Sequence, residues 1–176
     1  SFNVTVVPAA TDASLPCGSA INFTTDEGSC ATNSVQLEFP GTFFSCTLDT
    51  LFHDASASFP LGTTSFHWIA VHVDLSTDTC TQSVTVEDDE VPVITCAPTL
   101  DLVADAQSCA ATNVVLSAPI ATDNCTLQSL SNDHSSSTYH AGTTIVTWTA
   151  TDGSGNTSTC TQMVNVVGNS SEPPVL

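Results

Sequence analysis

"GTTIVTWTATDGSGNTSTCTQ", residues 142–162, alternates apolar and hydroxyl side chains. On an extended strand Val146, Trp148 and Ala150 fall on one face, and Thr147, Thr149 and Thr151 on the other. The following "DGSGN" is a turn made of residues that tolerate positive φ, so "CTQMVNVV" from Cys160 is the returning strand of a hairpin. The same frame stands at 62–82 as "GTTSFHWIAVHVDLSTDTCTQ", with glycine, a threonine pair, tryptophan, alanine, cysteine and glutamine at matching places. A half-buried hairpin carrying one inward tryptophan is therefore written twice.

The cysteines repeat in the same way. Cys17, Cys30 and Cys46 recur at one constant offset as Cys96, Cys109 and Cys125, and Cys80 recurs as Cys160 after a single insertion near Ser135. Such agreement in spacing marks an internal duplication. The acidic, proline-bearing "VEDDEVPVITC" places a domain boundary near residues 87–95. The organisation read from this is an N-terminal strand or linker (1–16), two domains (17–90 and 91–168) and a C-terminal linker (169–176). "LDLVAD" and "TNVVLSAP" supply two more strands to the second domain, and no window shows helical periodicity. The expected fold class is all-β: two tandem Ig-like β-sandwiches. A domain of this size has a thin core and needs staples, and two disulfides per domain would each contribute about 2–4 kcal/mol. Four cysteines allow three pairings in each domain. Without a CxxC pair or a Cys/His cluster at ligand spacing, zinc is not the reading.

Composition removes whole classes of function. The 176 residues contain no lysine and no arginine, and 18 acidic side chains leave a formal charge of −18. Such a chain cannot neutralise phosphates, so nucleic acids and anionic bilayers are excluded as partners. Arginine fingers, Schiff-base lysines and lysine–asparagine crosslinks are excluded by inventory. Trypsin-like proteases have no site to cut. No apolar run is long enough to span a membrane, so no insertion is expected. "SFNVTVVPAA" lacks the features of a signal peptide, and any such leader is expected to have been removed. Eight cysteines favour an oxidising compartment, which places the protein at the cell surface or outside the cell. With no GxSxG elbow and no base beside a nucleophile, it is not read as an enzyme and no catalytic residue is assigned.

"VPVITC", "SCAATNVVLSAPIATDNC" and "AGTTIVTWTATDGSGNTSTCTQMVNV" together resemble a hyalin repeat, or HYR domain, over nearly all of the second domain. The resemblance implies an Ig-like fold, used in tandem arrays in extracellular and cell-surface proteins for adhesion or structure. It also implies nested disulfides, here Cys17 with Cys80, Cys30 with Cys46, Cys96 with Cys160 and Cys109 with Cys125. The first domain resembles a divergent member. It keeps the cysteines, "FPLGTT", Trp68, Ala70 and "TCTQSVTV", but has "TFFSC" for "ATDNC" and "HVDLST" for "TDGSGN".

The two domains differ most on the outward face. Ile69 and Val71 stand where the second domain has Thr149 and Thr151, and Phe43, Phe44 and Phe52 replace Thr122, Asp123 and Ser131. Five outward apolar side chains predict a contact surface. "FNVTVV" at the N-terminus resembles the last strand of each domain, so Phe2, Val4 and Val6 are expected to add to a sheet edge on another subunit. "EPPVL" resembles the linker into Cys96. These features predict a structural subunit of an extracellular filament or surface layer that assembles with itself. The competing readings are an adhesion module binding carbohydrate or protein through its loops, where Tyr139 and His140 are the second domain's only aromatic candidates, and an excerpt of a longer stalk.

Glu87, Asp88, Asp89 and Glu90 gather at the domain junction as candidate calcium ligands; no cofactor is otherwise required. "DGSGNTS" from Asp152 lacks the distal glutamate of an EF-hand loop and is read as a turn. His67 and His72 are an odd number of positions apart and face opposite ways, so they share no metal. Asn3, Asn22, Asn156 and Asn169 lie in N-glycosylation sequons, Asn124 being set aside because it adjoins Cys125, and "HSSST" offers sites for O-linked sugars.

Overall fold

The computed structural model describes residues 15–33, 35–39 and 47–169. Every regular element among them is a β-strand. The chain divides into two compact units, Ser1–Asp88 and Asp89–Leu176.

The first unit contains β1 (Ile21–Thr24), β2 (Ala31–Thr32), β3 (Leu48–His53), β4 (Phe59–Pro60), β5 (Gly62–His72) and β6 (Thr77–Glu87). β1, β6, β5 and β3 form one sheet in that order, with β1 parallel to β6, and β2 pairs with β4 in a second. The second unit contains β7 (Val93–Thr95), β8 (Leu100–Val103), β9 (Ala110–Ala111), β10 (Ile120–Thr122), β11 (Leu127–Asn132), β12 (Tyr139–His140), β13 (Gly142–Asp152) and β14 (Thr157–Val167). Here β8, β14, β13 and β11 form the large sheet, with β9–β12 and β7–β10 as small ribbons. The central hairpins have one register: Gly62 lies opposite Val86 and Trp68 opposite Cys80, and each pairing recurs in the second unit as Gly142 with Val166 and Trp148 with Cys160. The arrangement is that of an all-β sandwich in each unit.

Alternation drives this packing. Phe66, Trp68 and Ala70 are buried along β5, and Val146, Trp148 and Ala150 along β13. Each indole is satisfied by the same glutamine: Trp68 Nε1 donates to Gln82 Oε1 at 2.8 Å, and Trp148 Nε1 to Gln162 Oε1 at 3.2 Å. The glutamines in turn donate to the carbonyls of Ser19 and Pro98 at 3.0 and 3.1 Å, tying the segment around the first cysteine of each unit to the core. Cys17 is bonded to Cys80 and Cys96 to Cys160. Gly62 and Gly142 open the long strands at φ of +99° and +121°, a region that favours glycine.

Three expectations change. "TNVVLSAP" is not a strand, because Asn113 turns into the left-handed region at φ 56° and Val114 donates its N–H to the Ser137 carbonyl instead. Cys109 does not pair with Cys125. It is a free, exposed thiol whose carbonyl is held by the Ala141 N–H beside the β9–β12 ribbon, whereas Cys125, like Cys30, is disulfide-bonded. Tyr139 is no loop-tip aromatic but a core residue, 1% exposed. Cys46 lies outside the described residues.

Candidate functional site

The acidic linker is resolved residue by residue into different roles. Glu87 ends β6 with an exposed side chain, and its carbonyl accepts the Thr25 N–H at 3.0 Å. Asp88 is buried and accepts the Thr25 hydroxyl at 3.4 Å. Asp89 is exposed and Glu90 half-buried. Two other carboxylates, Asp123 and Asp152 of the second unit, each present an oxygen within 4.8 Å of the other.

Local chemistry positions both. Asp152 closes β13 and is fully buried. Its Oδ1 accepts the N–H groups of Ser154 and Asn156 at 2.9 and 2.7 Å, and its Oδ2 accepts the Asn156 amide at 2.8 Å, folding the "DGSGN" turn around one carboxylate. Burial alone would raise the Asp152 carboxyl, but the hydrogen bonds from Asn156, Gly155 and Ser154 outweigh it and hold it below the usual 3.8. Asp123 Oδ1 accepts the N–H groups of Cys125 and Thr126 at 2.9 and 3.1 Å. Its Oδ2 is buried with no hydrogen-bond partner among the described residues. The sequence did hold a signal for the two that were missed: "ATDNC" and "TDGSGN" are the motifs absent from the first unit, and reading the second only as a turn concealed its carboxylate.

The outward face of the first unit is less bare than expected. Ile69 lies between Phe52 and Thr79, and Val71 between Thr50 and Thr77, so flanking strands leave both half-buried. Phe52, 46% exposed, is the open member. Outward apolar residues are not confined to this unit either, since Ile145 and Met163 face each other across β13 and β14 at 61% and 46% exposure. Phe2, Val4, Val6, Phe43 and Phe44 lie outside the described residues.

The remaining sites separate cleanly. His67 sits in solvent against Asp54 at 2.9 Å, while His72 is buried between the Thr47 hydroxyl and Asp78, at 3.0 and 2.9 Å. Asn22 and Asn169 are exposed, but Asn156 commits its amide nitrogen to Asp152, and a glycan on that atom would break the bond. Asn3 lies outside the described residues. No helix among the described residues is long and apolar enough to cross a membrane.

Residues 87–166 match the HYR domain family, a segment that contains Asp88, Asp123 and Asp152. The match supports the HYR family for that segment of the second unit. Among solved structures the chain is similar to the extracellular cadherin domains 1–4 of protocadherin gamma B7, at 13% identity over 86% of this chain and 50% of that one, with a TM-score of 0.36. Mouse clustered PcdhgC3 EC1-3 gives 13% identity, 88% and 67% coverage and a TM-score of 0.39. Human CDH23 EC21-23 gives 15% identity, 60% and 44% coverage and a TM-score of 0.34. The chain thus spans half the length of the first of these structures. No curated protein sequence matches it.

Proposed function

We propose that the chain is a pair of non-enzymatic extracellular modules of adhesion type, the first a divergent HYR-like unit, which work by contact with protein, including further copies of the same chain. The observation that carries this reading is the HYR match across the second unit, on a disulfide-stapled sandwich. The contact face is assigned to Phe52 and Ile69 of the first unit, where an aromatic ring stays open beside a half-covered β-branched neighbour. Asp123 and Asp152 are the proposed calcium ligands. Asn22 and Asn169 are the proposed glycan acceptors.

Bead aggregation tests the reading. Beads coated with the full chain should cluster with one another or with a partner-bearing surface in millimolar calcium, and Phe52→Ser with Ile69→Thr should abolish clustering while leaving the fold intact. Dispersed beads under every condition, together with a monomeric chain at high concentration by ultracentrifugation, would remove self-contact as its function. Long regular threads by electron microscopy of the same material would extend the contact to a filament.

A further inference from the structure

The second unit contains an open depression of about 280 Å³ lined by Val114, Leu116, Asn132, His134, Tyr139 and Trp148, with three serines at 135–137. Two of its lining groups are left without the partners that buried polar atoms normally have. The Tyr139 hydroxyl is buried and bonds to nothing among the described residues, and the same holds for His134 Nε2. The imidazole stacks on the phenol ring, with centroids 4.4 Å apart and planes 27° from parallel, which holds the two polar atoms on neighbouring rings. Leaving a buried hydroxyl unbonded destabilises the folded state.

The fold does not require this penalty, because the first unit builds the same sandwich without it. Phe59 takes the place of Tyr139: it is also 1% exposed and pairs with Thr32 as Tyr139 pairs with Ala111. Ala55 follows Asp54 as His134 follows Asp133, and both aspartates accept the N–H of the neighbouring long strand, His67 in one unit and Thr147 in the other. One unit thus carries a destabilising polar pair that the other lacks, and carries it on the wall of a depression.

We propose that this depression binds one ring of a neutral polyhydroxylated ligand, a saccharide unit, with the Tyr139 hydroxyl and His134 Nε2 as its buried anchors. The volume far exceeds the ~30 Å³ share of a single bridging water. No Asp, Glu, Lys or Arg lines the depression, and a net charge of −18 without any Lys or Arg repels anions from the whole chain. Hydroxyls are what the lining can read. Tyr139 and the serines both donate and accept, Asn132 adds an amide, and Val114, Leu116 and Trp148 provide an apolar wall for the C–H face of a sugar ring. Burial, with the charge of Asp133, raises the Tyr139 phenol above its usual 10, so it stays a neutral donor at physiological pH. This site shares no residue with the carboxylate cluster or with the Phe52 face, so its failure would leave the proposed function standing.

The test is titration of the full isotope-labelled chain, followed by NMR, with glucose, mannose, galactose and N-acetylglucosamine, and with glucuronic acid and glucosamine as charged comparators. A neutral sugar should shift the amides of Val114, Leu116 and Asn132 and the Trp148 indole in a saturable way, and the charged comparators should bind more weakly. Methyl glycosides that bind as well as the free sugar would point to the terminal residue of a glycan; binding of the reducing sugar alone would point to the free molecule, and either supports the site. Tyr139→Phe, the residue the first unit already uses, should weaken binding by about tenfold, the loss of one hydrogen bond at roughly 1.4 kcal/mol. Its melting temperature should be unchanged or higher, which separates lost binding from lost folding. His134→Ala should weaken binding likewise. A depression that holds ordered water only would show no shift with any sugar. That result, or sugar shifts that survive both variants, would overturn the proposal.

Discussion

The two units share one hairpin register, yet they fill equivalent places with opposite chemistry. Where the second unit ends its long strand on Asp152, folded into a turn by Asn156, the first ends on His72, held by Thr47 and Asp78. Where the second has Asp123, the first has Phe44; where the second buries Tyr139 and stacks His134 on it, the first has Phe59 and Ala55. The shared parts are the tryptophan, its glutamine and the long-range disulfide, which hold a sandwich together. The parts that differ are carboxylates and unbonded hydroxyl or imidazole groups, of which the unbonded ones destabilise a fold unless something binds them. Comparison within one chain therefore separates what the architecture needs from what it carries for another purpose.

The largest effect should be common to both units. Cys17–Cys80 and Cys96–Cys160 close loops of sequence separation 63 and 64, so chain entropy assigns each roughly 4 kcal/mol. Replacing either pair by alanine should destabilise its own unit by a similar amount, read unit by unit from hydrogen exchange; strongly unequal losses would break the equivalence. Calcium should act on one unit only. At a hundred times its dissociation constant it should stabilise the second by about 2.7 kcal/mol and leave the first unmoved. Asp152→Asn should remove that gain, and a melting profile identical in EGTA and calcium would sink the assignment of Asp123 and Asp152.

Gln82→Leu and Gln162→Leu should each cost about 1–3 kcal/mol by stranding a buried indole N–H, with equal values expected because the two networks are the same. Acid gives a smaller, shared response. Hydrogen bonds from the His67 and Thr147 backbones hold Asp54 and Asp133 below 3.8, so the stability each contributes is present above that pH and is lost as the pH falls through the lower folded value. An unfolding curve followed by circular dichroism should therefore show both units weakening only below about pH 4. Least of all, Ile69→Thr with Val71→Thr, which gives the first unit the second's residues, should change the stability of the isolated chain by less than about 0.5 kcal/mol per site. A larger loss would show those side chains to be core.

Much of the fold could be read directly. Alternation around Trp68 and Trp148 gave the phase of the long strands, because period-two burial leaves no other way to hide an indole. The segment 112–119 could not be read the same way, since its apolar residues look like a strand until Asn113 turns left-handed. The site was not legible. Asp123 and Asp152 lie in separate segments of the chain, and no local pattern says that the two meet.

The sequence by itself determined the repeated hairpin frame, the all-β class and the inward tryptophans, because these depend on spacing and periodicity. Tertiary structure alone decided which carboxylates converge, that Cys109 stays free, that Ile69 and Val71 are half-covered, and that a tyrosine hydroxyl is buried beside a depression. Those outcomes depend on which strand neighbours which, and hydrogen-bond satisfaction and shielding are properties of neighbours in space rather than in sequence.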